Sequence, residues 1–324
     1  VSDPDQDWNW ELRLFCSADI VGSTAYKARK SPTAKPEWAA TFSEFFRDFP
    51  DRVEQRYEEL PDRFHGCHEK LTPWKFSGDE ILFSVPITDH REGLSHVWAF
   101  KQAVADFPAT QWKAKEIALD LKATGWIAGF PVTNRKVRIQ GSSGAVDYIG
   151  PSIDSGFRLA RFSTPRKFIL SAALALLILD GLDSCEPAPE SKPHLFLDAV
   201  EPLKGVIDGK PYPIVFYDMR DGTADTEEVL LGITRHHNHD TLKDYLRKFL
   251  DETPRLIRPF IEGDDHLKYN EVPEVISKLR DEMRAEETDR DYLLHGDSEG
   301  PATDGEAKTP PKPMKPNPSP ADGS

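Results

Sequence analysis

Apolar and polar positions along the chain repeat with two periods, and each period marks its own kind of element. Leu12 to Ile20 (LRLFCSADI) reads as a short apolar strand ending at an acidic residue. Gly22-Ser23-Thr24 follows, then a helical pattern from about Ala25. Trp38, Phe42, Phe45, Phe46 and Phe49 recur at helical spacing and predict one apolar face of a long helix. Pro50 is expected to interrupt it, with Val53 to Leu60 open as a continuation. Trp74 to Phe76 and Glu80 to Val85 flank Ser77-Gly78-Asp79, the pattern of a β-hairpin with a tight acidic turn. Leu94 to Phe107 predicts a helix. Leu119 to Ile127 and Val137 to Gln140 predict strands, and Gly141 to Gly144 a loop. A helix is expected from Asp154 to Arg161, a strand over Phe168 to Leu170 and a short helix over Ala172 to Leu179. Leu195 to Pro202 and Tyr212 to Tyr217 are closing strands. This order implies an α+β sheet with helices on one face.

The pattern changes after Asp218. Arg220 to Asp225 is a polar linker. Asp240 is expected to cap a helix carrying Leu242, Tyr245, Leu246, Phe249 and Leu250, an amphipathic stripe. Pro273 suits the first position of a second helix with the stripe Val275, Ile276, Leu279 and Met283. Such a helical appendage needs a surface to pack on. From Gly296 to Ser324 there is no Val, Ile, Leu or aromatic residue, and Pro and Gly together number 11. That tail cannot bury enough surface to fold and is expected to be disordered. The expected organisation is an N-terminal tail over 1–10, a main domain over 11–219, a linker and helical appendage over 220–295, and a tail over 296–324.

Composition narrows the function. The 324 residues carry 41 Lys and Arg against 55 Asp and Glu, a net charge of -14. A field of that sign repels nucleic acid and anionic membranes, so an anionic substrate needs metal ions or a local group of cations. Cys16, Cys67 and Cys185 are too few and scattered for a disulfide framework and fit a reducing cytoplasm. Val1 to Asp7 is too polar for a leader, and the apolar run Ile169 to Leu179 is too short to span a bilayer. A cytoplasmic protein without membrane or nucleic-acid partners is expected.

Three segments carry candidate chemistry. Asp19-Ile20-Val21-Gly22-Ser23-Thr24 puts an acid at a strand end before a glycine turn, where free backbone N–H groups of Gly22, Ser23 and Thr24 can hold a polyphosphate. Lys75-Phe76-Ser77-Gly78-Asp79-Glu80 puts a second acid at a hairpin turn. In Gly150 to Leu159, Asp154 and Arg158 share one helix face. Taken singly, Asp19 or Asp79 reads as a cap or solvated turn, and Asp154 with Arg158 as a surface ion pair. Together, two carboxylates from separate strand ends can bind two Mg²⁺ ions for phosphoryl transfer, and an arginine can neutralise charge developing on phosphorus oxygens. His65-Gly66-Cys67-His68 has half a zinc pattern without a partner pair, and His236, His237 and His239 read as a solvated helix start.

In this order the segments resemble the class III nucleotidyl cyclase catalytic domain over about residues 10–219. Asp19-Ile-Val-Gly-Ser-Thr is similar to that family's first metal motif, Gly78-Asp79-Glu80 to its second, and Gly150 to Leu159 to its Gly-x-x-Val-Asn-x-Ala-Ala-Arg-Leu element. Leu203-Lys204-Gly205 is similar to its late phosphate-holding lysine motif. The resemblance implies a ferredoxin-like core with an antiparallel sheet and a head-to-tail homodimer with sites at the interface. It implies two divalent cations per site, Mg²⁺ or Mn²⁺, held by Asp19, Ile20 and Asp79 of one chain. Lys75, Asp147, Asp154, Arg158 and Lys204 would come from the other, with Arg158 at the transition state. The implied reaction converts a nucleoside triphosphate into a 3′,5′-cyclic mononucleotide and pyrophosphate.

Lys75 and Asp147 occupy the places where adenylate cyclases carry a base-reading Lys and Asp, so adenine stays open. Asp154 departs from the family's ribose-orienting Asn, and Gly156-Phe157 from two small residues. With Tyr26-Lys27-Ala28-Arg29-Lys30 after the phosphate loop, the chain is most similar to the stand-alone pyrimidine (uridylate) cyclases of bacterial Pycsar anti-phage defence. That resemblance implies UTP first, CTP second and ATP third, with Tyr26 narrowing the base pocket and a separate cyclic-nucleotide-responsive effector. Two rivals remain: a diguanylate-cyclase-like or polymerase-palm enzyme, which would lack the Asp154-to-Arg158 element, and a non-catalytic nucleotide binder.

Overall fold

A computed structural model describes residues 8–29, 37–61, 69–138, 146–185, 193–220, 226–230, 238–253 and 258–295. The His65–His68 segment, His236, His237, the loop 141–144 and the tail 296–324 lie outside them.

The first seven elements run β1 (Glu11–Val21), α1 (Ser23–Lys27), α2 (Glu37–Glu58), β2 (Thr72–Ser77), β3 (Glu80–Ile87), α3 (Glu92–Phe107) and β4 (Asp120–Phe130). Their strands lie in the order β2-β3-β1-β4, every neighbour antiparallel. With α2 and α3 as the long crossovers this is the ferredoxin-like βαββαβ arrangement. Among the described residues, the short strands β5 (Arg135–Arg138) and β6 (Val146–Ile149) pair only with each other. Then come α4 (Pro151–Leu159), β7 (Lys167–Leu170), α5 (Ala172–Ser184), β8 (Leu195–Pro202) and β9 (Pro211–Asp218). These three strands extend the sheet to seven, in the order β2-β3-β1-β4-β7-β9-β8, with β4 and β7 as its parallel pair. The fold is α+β with a predominantly antiparallel sheet, as expected from the element order.

Strand parity explains the layers. Leu12, Leu14, Cys16, Ala18 and Ile20 of β1 join Leu121, Ala123 and Ile127 of β4 on the face covered by α2, α3 and α5. Phe15, Trp126, Ala128 and Phe130 point the other way and form a second cluster with Leu82, Tyr148 and Ile153. The expectation of helices on one face is therefore corrected: α4 covers the second face. The near-continuous apolar run of β1 is the signature of a strand buried on both sides.

Pro50 does not break α2, which runs through it. Losing one hydrogen bond and crowding the preceding turn costs ~3 kcal/mol. Phe49, Val53 and Tyr57 are buried on one stripe across that point, and each buried side chain returns about 1.5–3 kcal/mol, so continuity wins. β6 has no counterpart in the sequence reading. α4 starts at Pro151 rather than Asp154, and α5 runs on to Ser184 rather than Leu179.

The C-terminal segment contributes α6 (Thr226–Leu230), α7 (His239–Asp251) and α8 (Glu274–His295). The cap of α7 is Asn238, whose side chain accepts from the Thr241 N–H at 2.9 Å, and not Asp240. The surface this segment packs on is α5. Leu242, Leu246, Leu250, Ile261 and Tyr269 belong to the main core. Asp180 of α5, 2% exposed, accepts from Arg247 at 2.7 Å and from the Tyr269 hydroxyl at 2.7 Å, and Lys243 stands 3.2 Å away. Among the described residues, no helix is long and apolar enough to cross a membrane.

Candidate active site

Asp19 lies near the end of β1 with Lys122 of β4 and Glu80 of β3 as its cross-strand neighbours. All three are on the strand parity that faces α4. Lys122 Nζ stands 3.0 Å from Asp19 Oδ2. Asp79 sits in the two-residue loop of the β2–β3 hairpin, where Gly78 takes φ +68° and suits a turn that other residues enter with strain. The Asp79 carbonyl accepts from the Ile20 N–H at 3.3 Å, which joins the two acidic segments. Lys27 of α1 approaches the Asp79 carboxylate at 3.9 Å.

Three acids thus crowd one end of the sheet. Burial pushes the Asp19 carboxyl above its usual range, the Lys122 hydrogen bond and charge pull it back, and the charge of Asp79 pushes further up. Glu80 is raised chiefly by burial too, with a hydrogen bond to Ser17 opposing and the charge of Asp19 adding. Like charges placed opposite each other on adjacent strands destabilise a sheet. A divalent cation would relieve this crowding. Two carboxylates and the Ile20 carbonyl are the hard oxygen donors that Mg²⁺ and Mn²⁺ prefer, so the residues fit the expected ions.

Among the described residues, the one group of three Asp, Glu, His or Cys ligand atoms within 4.8 Å of one another lies elsewhere. It is Asp89, His90 and Asp264, at the opposite end of β3 from Asp79. Asp264 accepts from the His90 N–H and meets its Nδ1, both at 2.7 Å, and Arg91 forks Asp89, while His90 Nε2 is buried with no hydrogen-bond partner among the described residues.

Gly22 has φ +87° and opens α1 with no side-chain cap. Ser23 is buried and Thr24 exposed, which leaves the first-turn N–H groups beside Asp19 as the expected phosphate cradle.

Lys75 and Asp147 meet: Nζ and Oδ2 are 2.9 Å apart, on β2 and β6. Aromatic rings support the pair from below. The Trp74 indole N–H donates to the Val146 carbonyl at 3.1 Å. Phe15, Trp74 and Tyr148 pack edge-on at 5.2 Å centroid separations, and Phe15 stacks on Trp126.

Asp154 and Arg158 are exposed on α4, with Phe157 42% exposed between them. No ion pair joins Asp154 to Arg158 among the described residues, so the surface-pair alternative is not realised. Gly156 permits this helix. A Cβ there would lie 2.2 Å from the Trp126 ring, so α4 can rest on β4 only with glycine at this position. Lys204 is exposed in the turn after β8, beside Gly205 at φ +76°. Arg161 donates to the Pro202 carbonyl at 3.2 Å and ties the end of α4 to that turn.

Tyr26 is not brought to the Lys75–Asp147 pair. Its ring stacks on Phe42 and its hydroxyl meets Thr41 Oγ1 at 3.1 Å, so within the chain it fastens α1 to α2. Lys122, Glu80 and Lys27 were not singled out from sequence as site residues. The signal for Lys122 was available: a lysine between Leu121 and Ala123 on an apolar strand needs a counter-charge. The Asp89–His90–Asp264 group had none, because Asp264 arrives from a distant segment.

No family model and no curated protein matches the chain. Solved structures to which it is similar include the adenylyl cyclase CyaB from P. aeruginosa, at 13% identity over 65% of this chain and 94% of that one, with TM-score 0.48. The guanylate cyclase domain of RhGC from Catenaria anguillulae, in complex with GTP, shows 13% identity over 65% and 97%, with TM-score 0.45. The guanylyl cyclase Cya2 shows 13% over 65% and 92%, with TM-score 0.44.

Proposed function

We propose that this chain is a nucleotidyl cyclase that converts a nucleoside triphosphate, UTP first, into its 3′,5′-cyclic mononucleotide and pyrophosphate. The observation that carries the reading is the meeting of Asp19 and Asp79 through the Ile20–Asp79 backbone bond, on the sheet face that also carries Lys75, Lys122 and α4.

Asp19, Asp79 and the Ile20 carbonyl would hold two Mg²⁺ or Mn²⁺ ions, which supply activation of the ribose 3′-oxygen and neutralise the departing pyrophosphate. The N–H groups of Gly22, Ser23 and Thr24 and the ammonium groups of Lys122 and Lys204 bind the phosphate chain. Arg158 places a planar cation where charge grows on the α-phosphorus oxygens. Asp154 accepts from a ribose hydroxyl and orients the sugar. Lys75 donates to uracil O4 while Asp147 accepts from N3–H. The same pair serves adenine, with Asp147 on the 6-amino group and Lys75 on N1.

The exposed Asp154, Phe157 and Arg158 face of α4 supports a head-to-tail homodimer in which that face completes the partner's Asp19–Asp79 centre. The Pycsar resemblance assigns the product to a separate effector in anti-phage defence.

All four NTPs are supplied in competition with Mn²⁺ or Mg²⁺, and products are identified by mass. Cyclic UMP is expected in excess. A preference for ATP ends the pyrimidine assignment alone, and no pyrophosphate from any NTP ends the cyclase assignment.

A further inference from the structure

The β5–β6 hairpin carries Asp147 yet, among the described residues, makes no backbone ladder with the seven-stranded sheet. Beyond its short links to β4 and α4, its position is set by side chains, and these act from two sides. On one side β2 holds it, through the Trp74–Val146 bond at 3.1 Å and the Lys75–Asp147 pair at 2.9 Å. On the other, Lys136 Nζ reaches Glu11 Oε2 at 2.6 Å, and Arg135 Nη2 reaches Glu287 Oε1 at 2.6 Å.

Glu287 belongs to α8. The same helix lays Arg280 over the Trp10 ring at 4.7 Å, and Arg135 itself lies over the Trp8 ring at 4.8 Å. Arg135 and Glu287 are 24% and 22% exposed at their side chains, so water screens the pair only in part. In register, Arg135 faces Ile149 and Val137 faces Asp147. A shift of β5 therefore moves Asp147 with it, because the two strands share one ladder.

We propose that Glu287 of α8 is a positioning residue for base recognition: by gripping Arg135 it fixes the β5–β6 hairpin and holds Asp147 opposite Lys75. The inference rests on the cyclase reading for its substrate and on the hairpin contacts for its mechanics. Base reading would then depend on a helix that lies outside the ferredoxin-like core and touches no substrate. Asp19 and Asp79 pair with Lys122 and Lys27 and with no residue of the hairpin among the described residues. Arg158 lies in the last turn of α4, away from the Asn134–Ser152 bonds that tie the first turn of that helix to the start of β5, so the chemical step is less affected than base reading.

The test compares full-length wild type with Glu287→Gln and Glu287→Ala. A partly exposed ion pair of this kind contributes up to about fivefold in an equilibrium constant. The KM for the preferred NTP is expected to rise about three- to fivefold in Glu287→Gln, and discrimination among the four bases to narrow. The kcat is expected to stay within about twofold. Independently of any turnover, amide hydrogen exchange over 135–138 and 146–149 should quicken while exchange in β1 and β3 does not. Unchanged hairpin exchange overturns the proposal, and so does a fall in kcat and thermal stability with base preference intact. If wild type yields no cyclic nucleotide, the cyclase reading falls, and the exchange measurement still decides whether Glu287 holds the hairpin.

Discussion

Asp19 pits function against stability. Its carboxyl is raised by burial first and by Asp79 as well, against the pull of Lys122. A carboxyl with a raised folded-state pKa binds its proton more tightly in the folded protein. Stability from that proton is fully present below the ordinary carboxylate value of about 3.9 and is lost as pH rises through the raised value. Asp19→Asn is therefore expected to raise the Tm at pH 7 by about 1–3 °C while abolishing turnover. The Tm gain should vanish in calorimetry at acid pH, below the ordinary carboxylate range. Saturating Mg²⁺ should stabilise wild type but not the variant. A variant less stable than wild type at pH 7 would show that the Lys122 pair outweighs burial and repulsion.

Among elements, α4 depends on one missing side chain. Gly156→Ala pushes a methyl group into the Trp126 ring, where a Cβ would lie at 2.2 Å. Neither backbone nor indole has room to yield, so the helix must lift from β4. Overpacking of this kind costs about 1–3 kcal/mol, and it displaces Asp154 and Arg158 on the same helix. Urea denaturation should show that loss, with activity falling further than stability explains. Trp126→Ala in the same chain removes the ring atoms that crowd this methyl group and should restore part of the activity. An unaltered kcat in Gly156→Ala would mean that α4 position does not matter to the site.

The sequence pattern made most elements legible because apolar periodicity is local. The β1 run, the Phe stripe of α2 and the Gly78-Asp79 hairpin each declare themselves within a dozen residues. What was illegible is relational. β6 is four residues long and lacks an apolar alternation, since Asp147 and Tyr148 serve the Lys75 pair and the aromatic cluster. The contacts of Tyr26 with Thr41 and Phe42 cross a gap in the chain, and Asn238 displaced Asp240 as a cap by two residues. The acids Asp19 and Asp79 were readable as motifs, whereas Lys122 and Glu80 became neighbours only through strand register.

For the whole molecule, the proposed homodimer builds each site from two chains. Asp79→Ala and Arg158→Ala remove groups that the proposed homodimer draws from different protomers. Mixing the two inactive variants yields mixed dimers with one site bearing both lesions and one bearing neither. Activity should return to at most about half of wild type per mixed dimer, by that symmetry. Steady-state assays after subunit exchange, followed by native mass spectrometry, measure it. Full exchange without recovery would place the whole site within one chain.

Asp180 carries a consequence for dissecting the protein. Its carboxylate is sealed inside the main core, and the groups that neutralise it, Lys243, Arg247 and Tyr269, all come from beyond residue 219. Cutting the chain after β9 would remove these partners together with Leu242, Leu246, Leu250, Ile261 and Tyr269, which belong to the same core, and several buried apolar side chains would lose about 1.5–3 kcal/mol each. That is a large part of the roughly 5–15 kcal/mol that holds a domain folded. The smallest autonomous unit is thus longer than the stretch whose motifs suggest an enzyme, and α7 with the segment through Tyr269 is as much a part of its interior as the strands of the sheet.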